Sequence, residues 1–364
     1  MQFFTQIPGP KNRVYVPQRK KLNVLITGIT GTVANTLAEH LLAQGHQVIG
    51  VSRDAAKAAQ RLDPRISVIS WQQLSPGFIA TMEVSAIINC AGAPMMKRWS
   101  HSAKAEILTS RIQTTRKLYQ MLRSLPAALR PECFINASSV AIYSNRQLPV
   151  DESVIPDMDH NYFQSRVWHQ IESLIHSLRV PKVRTVVARI GVLIGPHDMM
   201  HSMLRTSRFF MGTVLGSGKQ KISWISHRDL ARATEHLLLN QHLSGVFNIV
   251  SPQSITSDGL SSGIARSVSR QVFLRLPNGL LSRVLGEVAD NFMISADVRP
   301  GRLSNDGFIW DLPDFDHAVR VVARELGYSA SLPDSDTADS APTHSKRLTT
   351  GRDNIVGHST VQAR

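Results

Sequence analysis

The sequence predicts an α/β protein: a doubly wound parallel sheet followed by a smaller C-terminal lobe. Three observations carry that expectation. Residues 22–53 read in succession as strand, glycine turn, helix and strand. Strand-like and helical stretches then keep alternating to about residue 191, as a sheet with crossover helices requires. The strand-like runs are also apolar at consecutive positions, the pattern of strands buried on both faces.

The elements follow in order. Residues 1–20 form a basic, proline-containing arm; Lys11, Arg13, Arg19, Lys20 and Lys21 precede the first strand, with no acid among them. Leu22, Val24, Leu25 and Ile26 make that strand, and Gly28 and Gly31 let the backbone turn sharply after it. Helical spacing begins near Ala34, runs through Leu37, Leu41 and Leu42, and stops at Gly45. Val48, Ile49 and Val51 form the second strand. Residues 84–90 give another strand, which enters Ala91-Gly92-Ala93-Pro94. A long helix covers 103–125, with Ile107, Ile112, Leu118, Met121 and Leu122 on its apolar side. Strands at 133–137 and 183–190 flank a helix at 163–178. Residues 192–328 read as the smaller lobe, and residues 329–364, rich in Ser, Thr, Asp and Ala, as a disordered tail. There is no internal repeat.

Composition narrows the class. A chain of 364 residues with 42% hydrophobic content can bury a large core. Cys90 and Cys133 sit in apolar strand-like runs and read as buried free thiols, with neither a disulfide framework nor a metal-ligand spacing. No apolar run is long enough to span a membrane, and the first ten residues lack a signal-peptide core, so a cytoplasmic protein is expected. The net charge of +14 favours anionic ligands. It forms no stripe with interleaved aromatics, which argues against specific nucleic-acid binding.

The strand–turn–helix unit is also a candidate dinucleotide site. A helix N-terminus behind a glycine turn offers unpaired N–H groups and a positive dipole end to a phosphate. The spacing here, Gly28, Gly31 and Ala34, is G-x-x-G-x-x-A and not the more usual G-x-G-x-x-G. After the second strand stand Ser52 and Arg53, then Asp54. An arginine there suits the 2′-phosphate of NADP(H) through charge-assisted hydrogen bonds, where a carboxylate would suit NAD(H).

TGITGTVA, NCAGAP, SSVAIY and RTVVARIG together resemble the extended short-chain dehydrogenase/reductase superfamily. Lys97-Arg98-Trp99-Ser100, Ser110-Arg111, GSGKQ at 216–220, SWISHRDL at 223–230 and LGEVAD at 285–290 are similar to its atypical, epimerase-family branch. The resemblance spans roughly residues 22–328. It implies a Rossmann domain over 21–191 that holds NADP(H), and a lobe over 192–328 that closes over a small-molecule substrate. In it Gly28, Thr30, Gly31, Thr32 and Val33 would cradle the pyrophosphate, Ser52 and Arg53 would meet the 2′-phosphate, and Cys90, Ala91 and Gly92 would line the adenine-ribose side. Family members often pair as homodimers through sheet-flanking helices.

The resemblance also implies a Ser, Tyr and Lys constellation, and here the chain departs from it. Ser139 fits the serine, and Glu172 fits the glutamate that commonly lies four residues after the lysine. Counting back puts Trp168 at the lysine position and Gln164 at the tyrosine position, so the Y-x-x-x-K pair is missing. Tyr162 and Arg166 share a helix face and could imitate the pair two positions early. Tyr143, four residues after Ser139, is a candidate proton donor, or else a tyrosine that packs and hydrogen-bonds structurally. His227 is a candidate acid–base group because imidazole titrates near neutral pH. Asp229 reads as a helix N-cap or first-turn acid. Arg189 would bind an anionic substrate group or pair with Glu172 or Asp229. Lys97, Arg98, Arg111, Lys219 and Lys221 would favour an acidic substrate, or serve as surface charge.

Two functions fit these residues. One is an NADP(H)-dependent oxidoreductase or epimerase acting on a carbonyl or alcohol carbon, with catalytic Ser139 and a proton donor in Tyr143, His227 or water. The other is a non-catalytic NADP(H)-binding sensor or partner-binding protein. The intact cofactor loop suits both.

Overall fold

The computed structural model of the chain describes residues 20–328, apart from 96–97, 145, 210–211 and 277–293. Residues 1–19 of the basic arm, the 329–364 tail, Lys97 and the LGEVAD segment lie outside the described residues. Strands β1 (Asn23–Thr27), β2 (Gln47–Ser52), β3 (Ser67–Ser70), β4 (Ala86–Asn89) and β5 (Cys133–Ser139) join Arg184–Ile190 and Gly245–Ile249 in one seven-stranded sheet. All pairs are parallel, in the order β3-β2-β1-β4-β5, then Arg184–Ile190 and Gly245–Ile249. The chain leaves β1 first toward β2 and later returns to place β4 on its other side. That reversal opens a crevice at the C-terminal ends of β1 and β4.

Successive residues on a strand point to opposite faces, so each strand feeds two cores. Leu25, Ile49, Ile87, Phe134 and Val187 enter one core. Helices α4 (His101–Ser124) and α5 (Phe163–Ser177) cover it with Ile107, Leu118, Leu122, Val167 and Ile171. Val24, Ile26, Val48, Ile88 and Val186 enter the other, covered by α1 (Thr32–Ala43) and the helix His227–Leu239. Leu37 and Leu41 of α1 and Leu230 and Leu237 of the second helix are buried there, each leucine stabilising the fold by about 1.5–3 kcal/mol.

The helix α1 starts at Thr32, two residues earlier than the hydrophobic spacing suggests, because extended backbone at Gly31 already serves as its N-cap. The short, half-buried β3 and the edge strand Gly245–Ile249 have no counterpart in the sequence reading. The edge strand returns to the sheet from beyond residue 191, so the sheet draws on the second half of the chain. A third core gathers Ile194, Leu204, Trp224, Ile264, Phe315 and Val319. Asp229 ties it to the sheet-covering helix. It is fully buried in that helix's first turn, where Ser226 is the N-cap, and it accepts the backbone N–H groups of Asp311 (2.6 Å) and Leu312 (2.9 Å). No helix among the described residues is long and apolar enough to cross a membrane.

A buried polar network joins β5, α5 and the two strands beyond it. Ser138 Oγ donates to Glu172 Oε1 at 2.6 Å, and Arg189 donates to both carboxylate oxygens, Nε at 3.0 Å and Nη2 at 2.7 Å. Arg189 Nη1 also donates to the Tyr143 hydroxyl at 2.7 Å, which itself lies 3.0 Å from Asn248 Oδ1. None of the five side chains is exposed. Removing one partner of a buried ion pair leaves the other charged and unpaired, at a cost of about 3–5 kcal/mol. Arg189→Met should therefore lower the unfolding free energy by that much in urea titration; a loss below about 1 kcal/mol would contradict the network's role.

Candidate cofactor crevice and adjoining cavity

Gly28 makes the crevice possible. Its backbone lies in the left-handed region (φ 68°), and an added Cβ would sit 2.8 Å from the Cys90 carbonyl oxygen and 2.9 Å from the Ala91 Cα. Gly28 N–H donates to the Val51 carbonyl at 3.0 Å and Gly31 N–H to the Gly28 carbonyl at 2.8 Å, which folds the turn back against the sheet. Thr30, Gly31 and Thr32 are exposed beyond it, while Val33 packs on the sheet core. The α1 N-terminus carries no side-chain cap and no acid in its first turn. Its N–H groups are thus left to an external anion.

At the end of β2, Ser52 is half-buried and Arg53 exposed. Asp54 does not compete for a ribose, because its carboxylate caps α2 (Ala55–Ala59) by accepting Lys57 N–H at 3.0 Å. On the opposite side of β1 a polar ladder runs across the strand ends. Thr27 Oγ1 donates to Asn89 Oδ1 at 2.7 Å, and Asn89 Nδ2 donates to Asn136 Oδ1 at 2.8 Å and Thr115 Oγ1 at 3.1 Å. These four residues are buried and fully paired to one another, so they set the floor's shape. Sequence reading missed them; an asparagine inside an otherwise apolar strand-like run, at 89 and again at 136, was the available signal.

Cys90, Ala91 and Gly92 leave β4 along this floor. Burial pushes the Cys90 thiol up to about 12, so it is neither nucleophile nor ligand near neutral pH. Gly92 makes room for Arg111, whose Cζ would lie 2.7 Å from a Cβ there. Arg111 lies over the Trp168 ring, 5.2 Å from its centroid, and Nη1 donates to the carbonyls of Ala93 and Ile107. Burial lowers its pKa to about 10, and no carboxylate pairs with it among the described residues. Cys90, Ala91, Arg111, Asn136 and Trp168 line a recess of about 50 Å³. The buried Trp168 Nε1 finds no hydrogen-bond partner among the described residues. An uncapped helix end, an arginine without a carboxylate and an orphaned indole N–H fit a phosphorylated, hydroxyl-rich dinucleotide.

A second cavity, of about 510 Å³, lies beyond the C-terminal end of β5. Ser139 and Gln164 both line it. Ser139 Oγ accepts the Ala141 N–H at 3.2 Å, which leaves its own proton free to donate. The helix α5 carries Gln164, Trp168 and Glu172 at four-residue spacing on one face. Glu172 anchors that face to Arg189, Trp168 reaches the recess and Gln164 the cavity. Neither Tyr162 nor Arg166 lines it.

The three candidate catalytic residues are not brought together. Tyr143 is 1% exposed, outside the cavity lining, and its hydroxyl is committed to Arg189 and Asn248. Burial holds its phenol above the ordinary range against the pull of Arg189. That is the structural alternative for this tyrosine. His227 opens the helix after Ser226 and lines, with Arg228, a cleft of about 710 Å³ that shares Thr30 and Thr32 with the glycine turn and does not include Ser139. Its Nε2 lies 3.2 Å from Glu325, and burial lowers its pKa against that carboxylate. Arg189 pairs with Glu172 and not with Asp229 or an open site. Of the five cations considered for an acidic substrate, Lys221 lines the cavity and Arg111 lines the recess.

Gly28→Ala tests the turn. A left-handed φ and two backbone contacts inside 3.0 Å should cost about 1–3 kcal/mol. A matching fall in the thermal midpoint is expected; an unchanged midpoint would mean that the turn is not constrained as described.

Comparison with known proteins gives a consistent picture. The "Epimerase family protein YfhF" of Bacillus subtilis is 29% identical over 303 residues, covering 82% of this chain and 97% of the relative. A crystal structure of the human epimerase family protein SDR39U1 (isoform 2) with NADPH superposes with a TM-score of 0.74 at 29% identity, covering 84% of this chain and all of that one. UDP-glucuronic acid 4-epimerase of Bacillus cereus, solved with UDP-glucuronic acid and NAD, shares the fold at 16% identity and a TM-score of 0.65, over 84% of this chain and all of that one. The family model described as "NAD dependent epimerase/dehydratase family" matches residues 24–249, from β1 through the edge strand, and the chain belongs to that family.

Proposed function

We propose that this chain is an NADPH-dependent reductase of a small carbonyl compound that works without a tyrosine–lysine pair. The single observation that carries the reading is the convergence of Ser139 and Gln164 on one cavity at the C-terminal end of β5, two strands along the sheet from β1 and its glycine turn. The similar human protein solved with NADPH supports the choice of cofactor, and so do the exposed Arg53 and the engagement of Asp54 as a helix cap.

Bound NADPH would supply a hydride to the carbonyl carbon. The glycine turn and the α1 N-terminus would hold its pyrophosphate, Arg53 its 2′-phosphate. Arg111, lying on Trp168, would provide the positive charge that the missing lysine otherwise brings to this region, and the Trp168 N–H a donor to a ribose oxygen. Ser139 Oγ and the Gln164 amide would donate hydrogen bonds to the carbonyl oxygen, stabilising the negative charge that grows there as hydride arrives. Neither group yields a proton near neutral pH, so the oxygen takes its proton from solvent at the cavity mouth. Tyr143 serves the fold and His227 the neighbouring cleft.

A second reading, cofactor binding without turnover, is favoured by Gln164 and Trp168 at the tyrosine and lysine positions. The buried free thiols suit a reducing, cytoplasmic setting for either.

A carbonyl panel assayed by loss of NADPH absorbance separates the two. Ser139→Ala should reduce kcat about 100-fold or more, the scale of losing one such donor, with NADPH affinity nearly intact. Wild-type kcat should show no alkaline limb of a tyrosine donor between about pH 6 and 9. Equal turnover in the variant would remove Ser139 from the mechanism, and no turnover on any carbonyl would favour the second reading.

A further inference from the structure

The cavity beside Ser139 and Gln164 has a composition that selects among carbonyl compounds. Its walls come from the strand Val192–Ile194, the helices Asp198–Phe209 and Ser257–Ser267, and the strand Lys221–Ile222. The exposed lining is predominantly apolar, with Leu193, Ile194, Met200, Met203, Leu260 and Ile264 among its residues and serine and threonine hydroxyls between them. Met199 stands at the edge, 42% exposed. Methionines are flexible and polarizable, and fit apolar ligands of varied outline. Among the described lining residues there is no acid, arginine or histidine, and Lys221 is the one charged group.

A nucleoside diphosphate brings two adjacent phosphates, and burying them calls for several cations or a helix N-terminus. A single exposed lysine does not meet that need, and the helix that begins at Ser257 is already capped by the Thr256 side chain and carries Asp258 in its first turn. A flexible apolar chain matches the walls, one carboxylate matches Lys221, and about 510 Å³ lies within the range of cavities that enclose small ligands.

We propose that the substrate class is an apolar-chain ketone or aldehyde ending in a single carboxylate, its carbonyl held by Ser139 and Gln164 and its carboxylate by Lys221, and that the cavity does not take nucleotide sugars. This rests on the reductase reading for the identity of the reacting group. The binding claim rests on the cavity alone.

Calorimetric titration of the full chain, with and without saturating NADP+, whose oxidised nicotinamide cannot reduce the probes, tests it. The probes are levulinate, 6-oxoheptanoate and 8-oxononanoate, with 2-octanone as an uncharged ketone and UDP-glucose as a nucleotide sugar. With carbonyl and carboxylate both anchored, the keto acids should differ in affinity by at least roughly tenfold, the length that spans the two anchors binding best. Lys221→Gln should abolish the advantage of the keto acids over 2-octanone, and Met199→Glu should weaken 8-oxononanoate at least tenfold. Both positions are exposed, so folding is not at stake, and NADPH affinity should be unchanged in both. Affinity independent of chain length, UDP-glucose binding more tightly than every keto acid, or no keto-acid binding to the NADP+-loaded protein would each overturn the proposal. If the keto acids bind with a length preference while NADPH does not bind, the cavity assignment stands and the reductase reading falls.

Discussion

The ion pair between Glu172 and Arg189 is the constraint on which the site's arrangement depends. Both charges are buried, and burial of charges is tolerated only with close pairing and satisfied hydrogen bonds. Ser138, Tyr143 and Asn248 supply those bonds. The network therefore fixes α5 in one rotation and one height against the ends of β5 and Arg184–Ile190. One turn up from Glu172 the same face presents Trp168, and a further turn presents Gln164. The glutamate thus sets which side chains reach the recess and which reach the cavity, although it touches neither.

The topology does the remaining positioning. Reversal of strand order at β1 leaves a crevice between the β1 and β4 ends, and Gly28 brings the turn within contact of the Cys90 carbonyl at its lip. The α1 end aims its free N–H groups there, and the Thr27–Asn89–Asn136 ladder keeps the floor rigid and internally satisfied. Charge is unevenly placed as a result. Among the described residues Arg111 lines the recess with no carboxylate paired to it, whereas the cavity beyond Ser139 is predominantly apolar with one lysine at its wall.

Much of this was legible in the sequence, for identifiable reasons. Strands β1, β2, β4, β5 and Arg184–Ile190 are buried on both faces and announce themselves as apolar runs. The amphipathic α4 and α5 were readable to within two residues at either end. Short β3 is only half-buried, and Gly245–Ile249 sits at the sheet's edge far along the chain, so neither has a local signal strong enough to place it. The glycine turn, Arg53 and the replacement of tyrosine and lysine by Gln164 and Trp168 could all be read by position. What spacing could not reveal is which polar residues spend their hydrogen bonds on the fold. Tyr143 lies four residues after Ser139, yet the intervening tight turn sends it into the core toward Arg189 and Asn248. His227 belongs to a helix whose first residue faces a different cleft. The methionines of Asp198–Phe209 were not singled out in the sequence and gain meaning only in the cavity they line with Leu260 and Ile264.

The proposed function stands on a cofactor crevice selective for the 2′-phosphate. The most direct measurement is calorimetric titration of the unmodified full chain with NADPH and, separately, with NADH. Charge-assisted hydrogen bonds of about 1.5–3 kcal/mol from Arg53 predict NADPH binding at least roughly tenfold tighter than NADH. Equal affinity for the two would contradict the role given to Arg53, and binding of neither would contradict the crevice itself.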